Sequence, residues 1–299
     1  MKERELESVA NMATMEPHMQ RIIQRLYERG IISSLAVKIK QLSGTTEGLV
    51  YLISDHLSSY ILKLDHPEQI APVKHFLQTY HQSPLLPKLL YHDPESSYLV
   101  YSFLEGTTHV HRSSKKAWMA RLVTDLLNYY TPVKETATWG RFGIPRQSWH
   151  EFMQTSLEET VDDIGERLPD IDHRLVQRLV HKWYAASDVE EQYLLHGDTG
   201  VHNFVFDQYS FVGVIDPSPI VGPVLYDFLY AFCSSPDDLN TDTLISAYSL
   251  LQYQAVDETR LIEETAIQLY FRIGICMRHH PEDLPEYLEA WTKWKKHLA

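Results

Sequence analysis

The chain has 299 residues and a formal net charge of -13, with 44% hydrophobic and 22% charged residues. These fractions are close to those of globular proteins, and the length allows one large domain or two moderate ones. No apolar run approaches the ~20 residues needed to cross a bilayer. The acidic balance and the lack of a basic stripe argue against nucleic acid as the main partner. We therefore expect a cytoplasmic protein that binds neither nucleic acid nor membrane.

The N-terminal sequence and the two cysteines also favour a cytoplasmic protein. The N-terminal sequence is charged and polar, so it lacks the apolar core of a secretory signal. The cysteines Cys233 and Cys276 lie far apart in the sequence, which argues against a disulfide framework and against a cysteine-built zinc site.

The first third of the chain predicts a β-rich lobe with one leading helix, ending at a boundary between Glu105 and Gly106. Residues 35–65 contain three short β runs separated by turn-forming residues, as in an antiparallel meander. Residues 67–80 repeat apolar residues at helical spacing, and another β run is strongest over 98–104. The leading helix carries an apolar stripe of Ile22, Ile23, Leu26 and Tyr27 and stops at Gly30.

The remaining two thirds are mainly helical. Residues 114–130 and 148–168 repeat large apolar side chains at three- and four-residue spacing, and helical patterns resume after Leu225. A short hairpin-like segment interrupts them over residues 204–216. We therefore predict an α+β protein of two lobes, a β-rich N-terminal lobe over 1–105 and a mainly helical C-terminal lobe over 106–299.

The stretch "HGDTGVHNFVF", His196 to Phe206, concentrates polar residues between two apolar runs, and "FVGVID" follows it and ends at Asp216. If these β runs pair as a hairpin, Asp216 returns beside the start of the first run, near Asp198 and Asn203. Two carboxylates and an amide at one spot suit Mg²⁺ next to a positioned base. The alternative is that the three residues serve unrelated turns and caps.

The order His-Gly-Asp, then four residues, then Asn, then a β run ending in Ile-Asp resembles the aminoglycoside phosphotransferase and choline kinase family. That family has a protein-kinase-like fold. The resemblance implies an enzyme that uses Mg-ATP to phosphorylate a hydroxyl group of a small molecule, such as an aminoglycoside, a choline-like alcohol or a sugar. It implies Asp198 as the catalytic base, and Asn203 and Asp216 as the ligands of Mg²⁺. Asp216 is followed by Pro217 and Ser218 instead of Phe-Gly.

The same resemblance places the nucleotide contacts in the N-terminal lobe. Glycines at a hairpin tip let backbone N–H groups approach phosphates. Lys63 lies on the next β run and would contact the phosphates, although a lysine there can also be a solvated edge residue. Glu68 would either pair with Lys63 or favour the first turn of its helix. The expected nucleotide contacts are Gly44, Thr45, Gly48, Lys63, Glu68 and the segment Ser102, Phe103 and Leu104, whose backbone would bond adenine.

Two rival functions remain open at this stage. His196, Asp198, His202 and Asp216 could bind zinc in a metal-dependent hydrolase. The simpler interpretation is that His196 braces the loop and His202 faces outward. Asp227 begins a helix and is expected to cap it or to brace the same loop. The second rival is a nucleotide-binding module without transfer activity.

The sequence leaves the acceptor and the oligomeric state open. The acidic run over residues 158–172 could line a pocket for a cationic acceptor, or it could be a solvated helix face. Aminoglycosides, choline-like alcohols, thiamine, sugars and amino-alcohols all fit the family resemblance.

Overall fold

A computed structural model describes residues 16–42, 48–95, 97–108, 112–133, 138–185, 191–253 and 256–298. The chain divides into two compact units, Met1–His81 with Leu86–Glu105, and Gln82–Leu85 with Gly106–Ala299. The main division falls at Glu105, where the sequence changes character. Residues 82–85, which the sequence analysis assigned to the first lobe, group with the second unit.

The described part of the first unit is an antiparallel sheet packed against two helices. Its elements are α1 (Pro17–Glu28), β1 (Lys38–Leu42), β2 (Leu49–Ser54), β3 (Ser59–Leu64), α2 (Pro67–Thr79), β4 (Leu89–His92) and β5 (Tyr98–Ser102). Within these residues the sheet has five strands in the order β1-β2-β3-β5-β4, which places β3 in the centre. The predicted meander is therefore formed by β1, β2 and β3.

Helix α1 packs its apolar stripe onto this sheet. Ile22, Ile23 and Leu26 are buried in one cluster with residues of the sheet such as Leu62. Burial of each such side chain contributes about 1.5–3 kcal/mol. Tyr27, which the sequence placed on the stripe, is 45% exposed, because it lies at the outer edge of the helical face that the three aliphatic residues define.

The second unit is mainly helical. Its elements are α3 (Lys115–Asp125), β6 (Trp139–Arg141), β7 (Ile144–Arg146), α4 (Trp149–Ile164), α5 (Asp170–Tyr184), β8 (Tyr193–Leu195), β9 (Phe204–Asp207), β10 (Ser210–Val214), β11 (Ile220–Gly222), α6 (Val224–Cys233), α7 (Thr241–Tyr248), α8 (Glu258–His279) and α9 (Leu284–Trp294). No helix in the described ranges is both long and apolar enough to span a membrane.

Helix α8 is the centre of this unit, because α4, α5, α6 and α9 all pack against it. Residues 264–274 are buried on every face of the helix, which is typical of a core helix. Side chains cap several of the surrounding helices by accepting a backbone N–H of the first turn. The capping residues are Ser114, Ser148, Asn240 and Asp257.

A small antiparallel sheet in the second unit was not predicted. Its strand order is β7-β6-β11-β8, and each strand has three residues. Three residues are too few to show a two-residue alternation in the sequence. β8 leads into the His-Gly-Asp sequence and β11 follows Asp216, so this sheet flanks the candidate site residues.

Candidate active site

The hairpin predicted after the His-Gly-Asp sequence is present. β9 and β10 pair in antiparallel register, with Phe204 opposite Val214. One residue beyond the ladder, Ile215 N donates to the carbonyl oxygen of Asn203 at 2.9 Å. Asp216 therefore directly follows Ile215, whose backbone N–H is hydrogen-bonded to Asn203.

The chain after Asp216 is tied to the other side of the motif. Ser218 N donates to the His196 carbonyl oxygen at 3.0 Å. A Cβ atom at Gly197 would lie 2.1 Å from the Ser218 carbonyl oxygen, and Gly197 has φ +77°. Glycine is required here because of both the close approach and the left-handed backbone. Asp216 itself has φ +54°, an uncommon backbone for a non-glycine residue that clusters at functional sites.

Asp198 and Asn203 are in direct contact. The Asn203 amide nitrogen donates to the Asp198 carbonyl oxygen at 3.0 Å and to Asp198 Oδ2 at 2.9 Å. The orientation of this buried amide leaves its oxygen pointing away from Asp198. Asp198 Oδ1 is buried and has no hydrogen-bond partner among the described residues.

His202 faces Asp198, so the expectation that it points outward is wrong. Its Nε2 lies 3.2 Å from Asp198 Oδ2, and its side chain is 31% exposed. The short 3₁₀ turn over Val201–Asn203 carries His202 back over the loop. The four-residue spacing from Asp198 was the available sequence signal, because residues four apart share a face in helical turns.

The electrostatics of the loop favour an ionised Asp198. Burial opposes its ionisation, but the hydrogen bond and the electrostatic attraction of His202, together with the nearby Tyr230 hydroxyl, outweigh this effect and lower the pKa of Asp198. Tyr230 approaches Asp198 without completing a hydrogen bond to Oδ1. A carboxylate that is charged at neutral pH can accept the hydrogen of a substrate hydroxyl.

Asp227 braces the loop, one of the two roles expected for it. Its carboxylate accepts from His196 N at 2.8 Å, from Gly197 N at 3.0 Å and from the Tyr130 hydroxyl at 2.8 Å. Its backbone oxygen accepts from Thr199 Oγ1 at 2.7 Å. Asp227 is fully buried, and burial raises its pKa to about 7 despite these donors. Tyr130 and Thr199 carried no sequence signal for this role.

His196 is a structural residue. It is fully buried, and burial lowers its pKa to about 4. Its Nε2 contacts the Ile215 carbonyl oxygen at 3.2 Å, which makes Nε2 the donor, and Nδ1 then accepts from Asp198 N at 3.3 Å. Both ring nitrogens are therefore used. Within the described ranges, no group of three or more His, Cys, Asp or Glu side chains is arranged to hold a metal ion. His196 therefore has no ring nitrogen left to bind zinc, as the zinc alternative requires.

In the first unit, Lys63 is not a solvated edge residue. β3 pairs with β2 on one side and β5 on the other, so that Lys63 stands opposite Val50 and Leu99. Its side chain is buried, with 7% exposure. A lysine is almost never fully buried unless its charge is paired.

The other predicted residues of the first unit show no feature as specific as the burial of Lys63. Gly44 and Thr45 lie outside the described residues. A Cβ at Gly48 would lie 2.9 Å from the Leu64 carbonyl oxygen, so glycine allows the close approach of β2 to the end of β3. Glu68 is exposed in the first turn of α2, where its negative charge interacts favourably with the helix dipole, the second of its two expected roles.

In the segment proposed to bond adenine, some backbone groups already form hydrogen bonds within the protein and others do not. Ser102 N donates to the Lys88 carbonyl oxygen at 2.9 Å, and Phe103 N donates to the Ser59 carbonyl oxygen at 3.3 Å. No backbone hydrogen bond of Leu104 occurs within the described residues. Of the three residues, Leu104 therefore has the N–H and C=O groups that a ligand could use.

Comparisons with known proteins identify the family and the fold of the chain. The model of the phosphotransferase enzyme family matches residues 38–262. No curated protein matches the chain.

Solved structures resemble the chain over most of its length. A thermostable mutant of aminoglycoside phosphotransferase APH(4)-Ia, in ternary complex with AMP-PNP and hygromycin B, has a TM-score of 0.59 and 15% identity, covering 92% of this chain and 99% of its own. Choline kinase LicA from Streptococcus pneumoniae has a TM-score of 0.57 and 17% identity, with 94% and 99% covered. A putative fructosamine-3-kinase from Haemophilus somnus has a TM-score of 0.59 and 14% identity, with 93% and 97% covered. At this identity the likeness shows the fold, and it confirms the predicted two-lobed, protein-kinase-like class.

Proposed function

The chain belongs to the phosphotransferase enzyme family and is a small-molecule phosphotransferase, and from this premise we propose that it transfers the γ-phosphoryl group of Mg-ATP to a hydroxyl group of a small molecule. The observation that carries the proposal is the contact between Asp198 and Asn203, with Asp216 held on the same hairpin. The neighbour crystallised with AMP-PNP and hygromycin B and the neighbouring choline kinase support this reaction class.

Asp198 is proposed to orient the acceptor hydroxyl. Asn203 and His202 both contact Oδ2, so they fix the orientation of the carboxylate. Oδ1 has no donor among the described residues, and an unsatisfied buried acceptor costs about 1–3 kcal/mol. A substrate hydroxyl that donates to Asp198 would remove this cost. Phosphoryl transfer needs alignment more than covalent help, so a carboxylate of low pKa is sufficient.

The residues present fit a magnesium ion. The Asn203 amide nitrogen is engaged with Asp198, which leaves the amide oxygen as a ligand, and Asp216 offers a carboxylate. These are the hard oxygen ligands that Mg²⁺ prefers. When bound, the ion would neutralise charge on the phosphates. Asn203 and Asp216 therefore hold the metal in this proposal, while His196 and Asp227 only position the loop.

In the first unit, Lys63 is proposed to contact the nucleotide phosphates and the Leu104 backbone to bond adenine. The buried position of Lys63 on the central strand supports the first role. The lack of backbone hydrogen bonds at Leu104 within the described residues supports the second. Gly44, Thr45, Gly48, Ser102 and Phe103 remain proposed contacts of the same nucleotide.

The proposal is tested by measuring ADP release from Mg-ATP with a panel of hydroxyl compounds, alongside hydrolysis of a phosphate ester without nucleotide. We expect ADP release that depends on both an acceptor and Mg²⁺. Hydrolysis of the ester with Zn²⁺ or Mn²⁺ alone, and no ADP release with any acceptor, would favour the metal-dependent hydrolase instead. Binding of ATP with no turnover on any acceptor would favour the binding module.

A further inference from the structure

The second unit contains a buried cation that the proposed reaction does not use. Arg272 on α8 is 6% exposed, its Nε donates to the Tyr287 hydroxyl at 3.2 Å, and its guanidinium lies 5.5 Å from the centre of the Tyr287 ring. The groups that act most strongly on its charge are Tyr287, Cys276 and Tyr230. Burial raises the pKa of all three, so none is an anion at neutral pH. Within the described residues, no carboxylate lies within 4.0 Å of Arg272.

A buried charge without a counterion costs several kcal/mol, so such a residue is seldom retained without a use. The guanidinium also interacts with the neutral Cys276 thiol, and in the part of the chain that the structure describes its two Nη groups donate to no oxygen atom. No described anion therefore balances its charge, and an anionic ligand could do so. A guanidinium matches carboxylate and phosphate oxygens with two parallel hydrogen bonds.

Contacts connect Arg272 to the helix that braces the Asp198 loop. The Tyr287 hydroxyl, which accepts from Arg272, donates to the Cys233 carbonyl oxygen at 3.0 Å, and Cys233 lies on α6 together with Asp227, which holds the loop. Tyr230, on the same helix, interacts electrostatically with both Asp198 and Arg272. On the other side, His202 contacts Asp198 at 3.2 Å, its ring lies 6.5 Å from the ring of His280, and Arg272 acts electrostatically on His280. We call Tyr230, Arg272, His202 and His280 the Arg272 cluster. Its members provide hydrogen-bond donors next to the candidate catalytic base.

Two acids that act electrostatically on His280, Glu282 and Asp283, follow it closely in the chain. Glu282 is 70% exposed and lies 4.0 Å from His280, at the outside of the cluster. In the acidic run that the sequence offered as a possible cation pocket, Asp163 pairs with Arg278 at 3.0 Å, and buried Asp172 pairs with Lys295 at 2.7 Å. The other acids of the run are exposed, as in a solvated helix face: Glu158, Glu159, Asp162, Glu166 and Asp170.

We infer that the acceptor of the proposed phosphotransfer carries a carboxylate or phosphate group in addition to its hydroxyl, and that Arg272 binds this anionic group. The inference rests on the proposed function. Asp198 repels the anionic end of such a molecule and Arg272 attracts it, so the two charges orient the acceptor with its hydroxyl towards Asp198. Arg272 would repel a polycationic or quaternary ammonium acceptor.

The test uses matched acceptors with wild type, Arg272→Gln and Arg272→Lys. The panel pairs hydroxy acids and phosphorylated alcohols with uncharged alcohols of the same carbon skeleton, such as glycerate and glycerol 3-phosphate with glycerol, and adds choline and an aminoglycoside as cations. ADP release at saturating Mg-ATP gives kcat and KM for each compound. Arg278→Gln is the control, because Arg278 lies on the same helix but pairs with Asp163 at the surface.

In the wild type we expect kcat/KM for the anionic members to exceed that of their uncharged partners by at least about tenfold. Arg272→Gln should raise KM for the anionic members by a similar factor and change KM for the uncharged members less than about twofold. Arg272→Lys should restore part of the preference, since the charge remains. A structural role for Arg272 would lower activity on all acceptors alike, and that result overturns the inference. A higher kcat/KM for the hydroxy acids would indicate a carboxylate, and a higher kcat/KM for the phosphorylated alcohols would indicate a phosphate.

The outcomes for the acceptor class and for the proposed function are distinguishable. If the wild type prefers uncharged or cationic acceptors, or turns over no anionic member although Mg-ATP stabilises it, the acceptor inference is wrong and the phosphotransferase proposal stands. If Mg-ATP neither stabilises the protein nor is consumed with any acceptor, the proposed function itself fails. The wild-type preference is informative even if Arg272→Gln does not fold.

Discussion

The Asp198 loop of the second unit and the Lys63 strand of the first unit are built in different ways. In the loop, side-chain contacts fix the geometry. Asn203 and His202 contact Asp198, and the Asp227 carboxylate accepts from the backbone N–H groups of His196 and Gly197. Lys63 is instead placed by the regular ladder of the central strand. The proposed base must be oriented to within a fraction of an ångström, whereas a lysine on a flexible stem can adjust to a phosphate. The loop should therefore be the less tolerant of change.

The largest expected effect is that of Asp198→Asn on turnover. The amide cannot accept the hydroxyl proton, so kcat should fall by about 10²–10⁴-fold. Stabilisation by Mg-ATP should be nearly unchanged, because Asn203 and Asp216 are the proposed metal ligands. Steady-state ADP release and thermal unfolding measure the two quantities on the same preparation. Retained turnover would remove Asp198 as the base.

The second prediction concerns the brace of the loop. Asp227→Ala leaves buried donors of His196, Gly197 and Tyr130 without an acceptor, so we expect a loss of about 3–5 kcal/mol in the free energy of unfolding. Urea unfolding measures the loss. Asp242→Ala is the control, since Asp242 is exposed in the first turn of α7 and should cost less than about 1 kcal/mol. Similar losses in both variants would contradict the bracing role.

The third prediction is a dependence of stability on pH. Burial lowers the pKa of His196 to about 4, against about 6.5 when the chain is unfolded. The unfolded state therefore binds the extra proton first, so stability falls as the pH decreases from about 6.5 to about 4. The contribution of His196 to this fall is about 3 kcal/mol. Unfolding free energies of wild type and His196→Gln over this range should show a shallower slope for the variant, and parallel slopes would refute the assignment.

The smallest expected effect is on the strand. Lys63→Met keeps the length of the side chain and removes its charge, so the dissociation constant of Mg-ATP should rise by roughly tenfold, or about 1.4 kcal/mol. Lys38→Met, at an exposed position of β1, is the matched control and should change it less than twofold. Calorimetric titration measures both constants. Equal affinities for the wild type and Lys63→Met would leave the buried lysine with a structural role.

The contrast between loop and strand also explains what the sequence could predict. The hairpin after Asp198 was predictable because two apolar β runs flank a turn, and its pairing fixes where Asp216 returns. For His196 and Asp227 the sequence offered bracing of the loop as one of two roles, without the partners that the structure gives them. The orientation of His202 was missed, because its four-residue spacing from Asp198 brings the two together only if the chain between them turns, and the 3₁₀ turn over Val201–Asn203 was not predicted. The small sheet of β6, β7, β8 and β11 was missed since its strands are too short to alternate.

Arg272 shows the limit of pattern reasoning most clearly. It occurs in a helix whose buried residues cover every face, so neither periodicity nor composition distinguishes it from a surface arginine. Its significance depends on contacts with Tyr287 and on its proximity to Tyr230 and His280, which are distant in the sequence. Tertiary packing alone brings them together.

The central claim is that Asp216 and Asn203 hold Mg-ATP beside the Asp198 loop, and thermal unfolding with and without Mg-ATP tests it most directly. At about a hundredfold excess over the dissociation constant, the ligand adds roughly 2.7 kcal/mol, which raises Tm by several degrees. Wild type and Asp207→Asn, an exposed acid of the same hairpin, should both show this rise, and Asp216→Asn should lose most of it. An equal rise in Asp216→Asn, or no rise in the wild type together with one for Zn²⁺ or Mn²⁺ alone, would contradict the account.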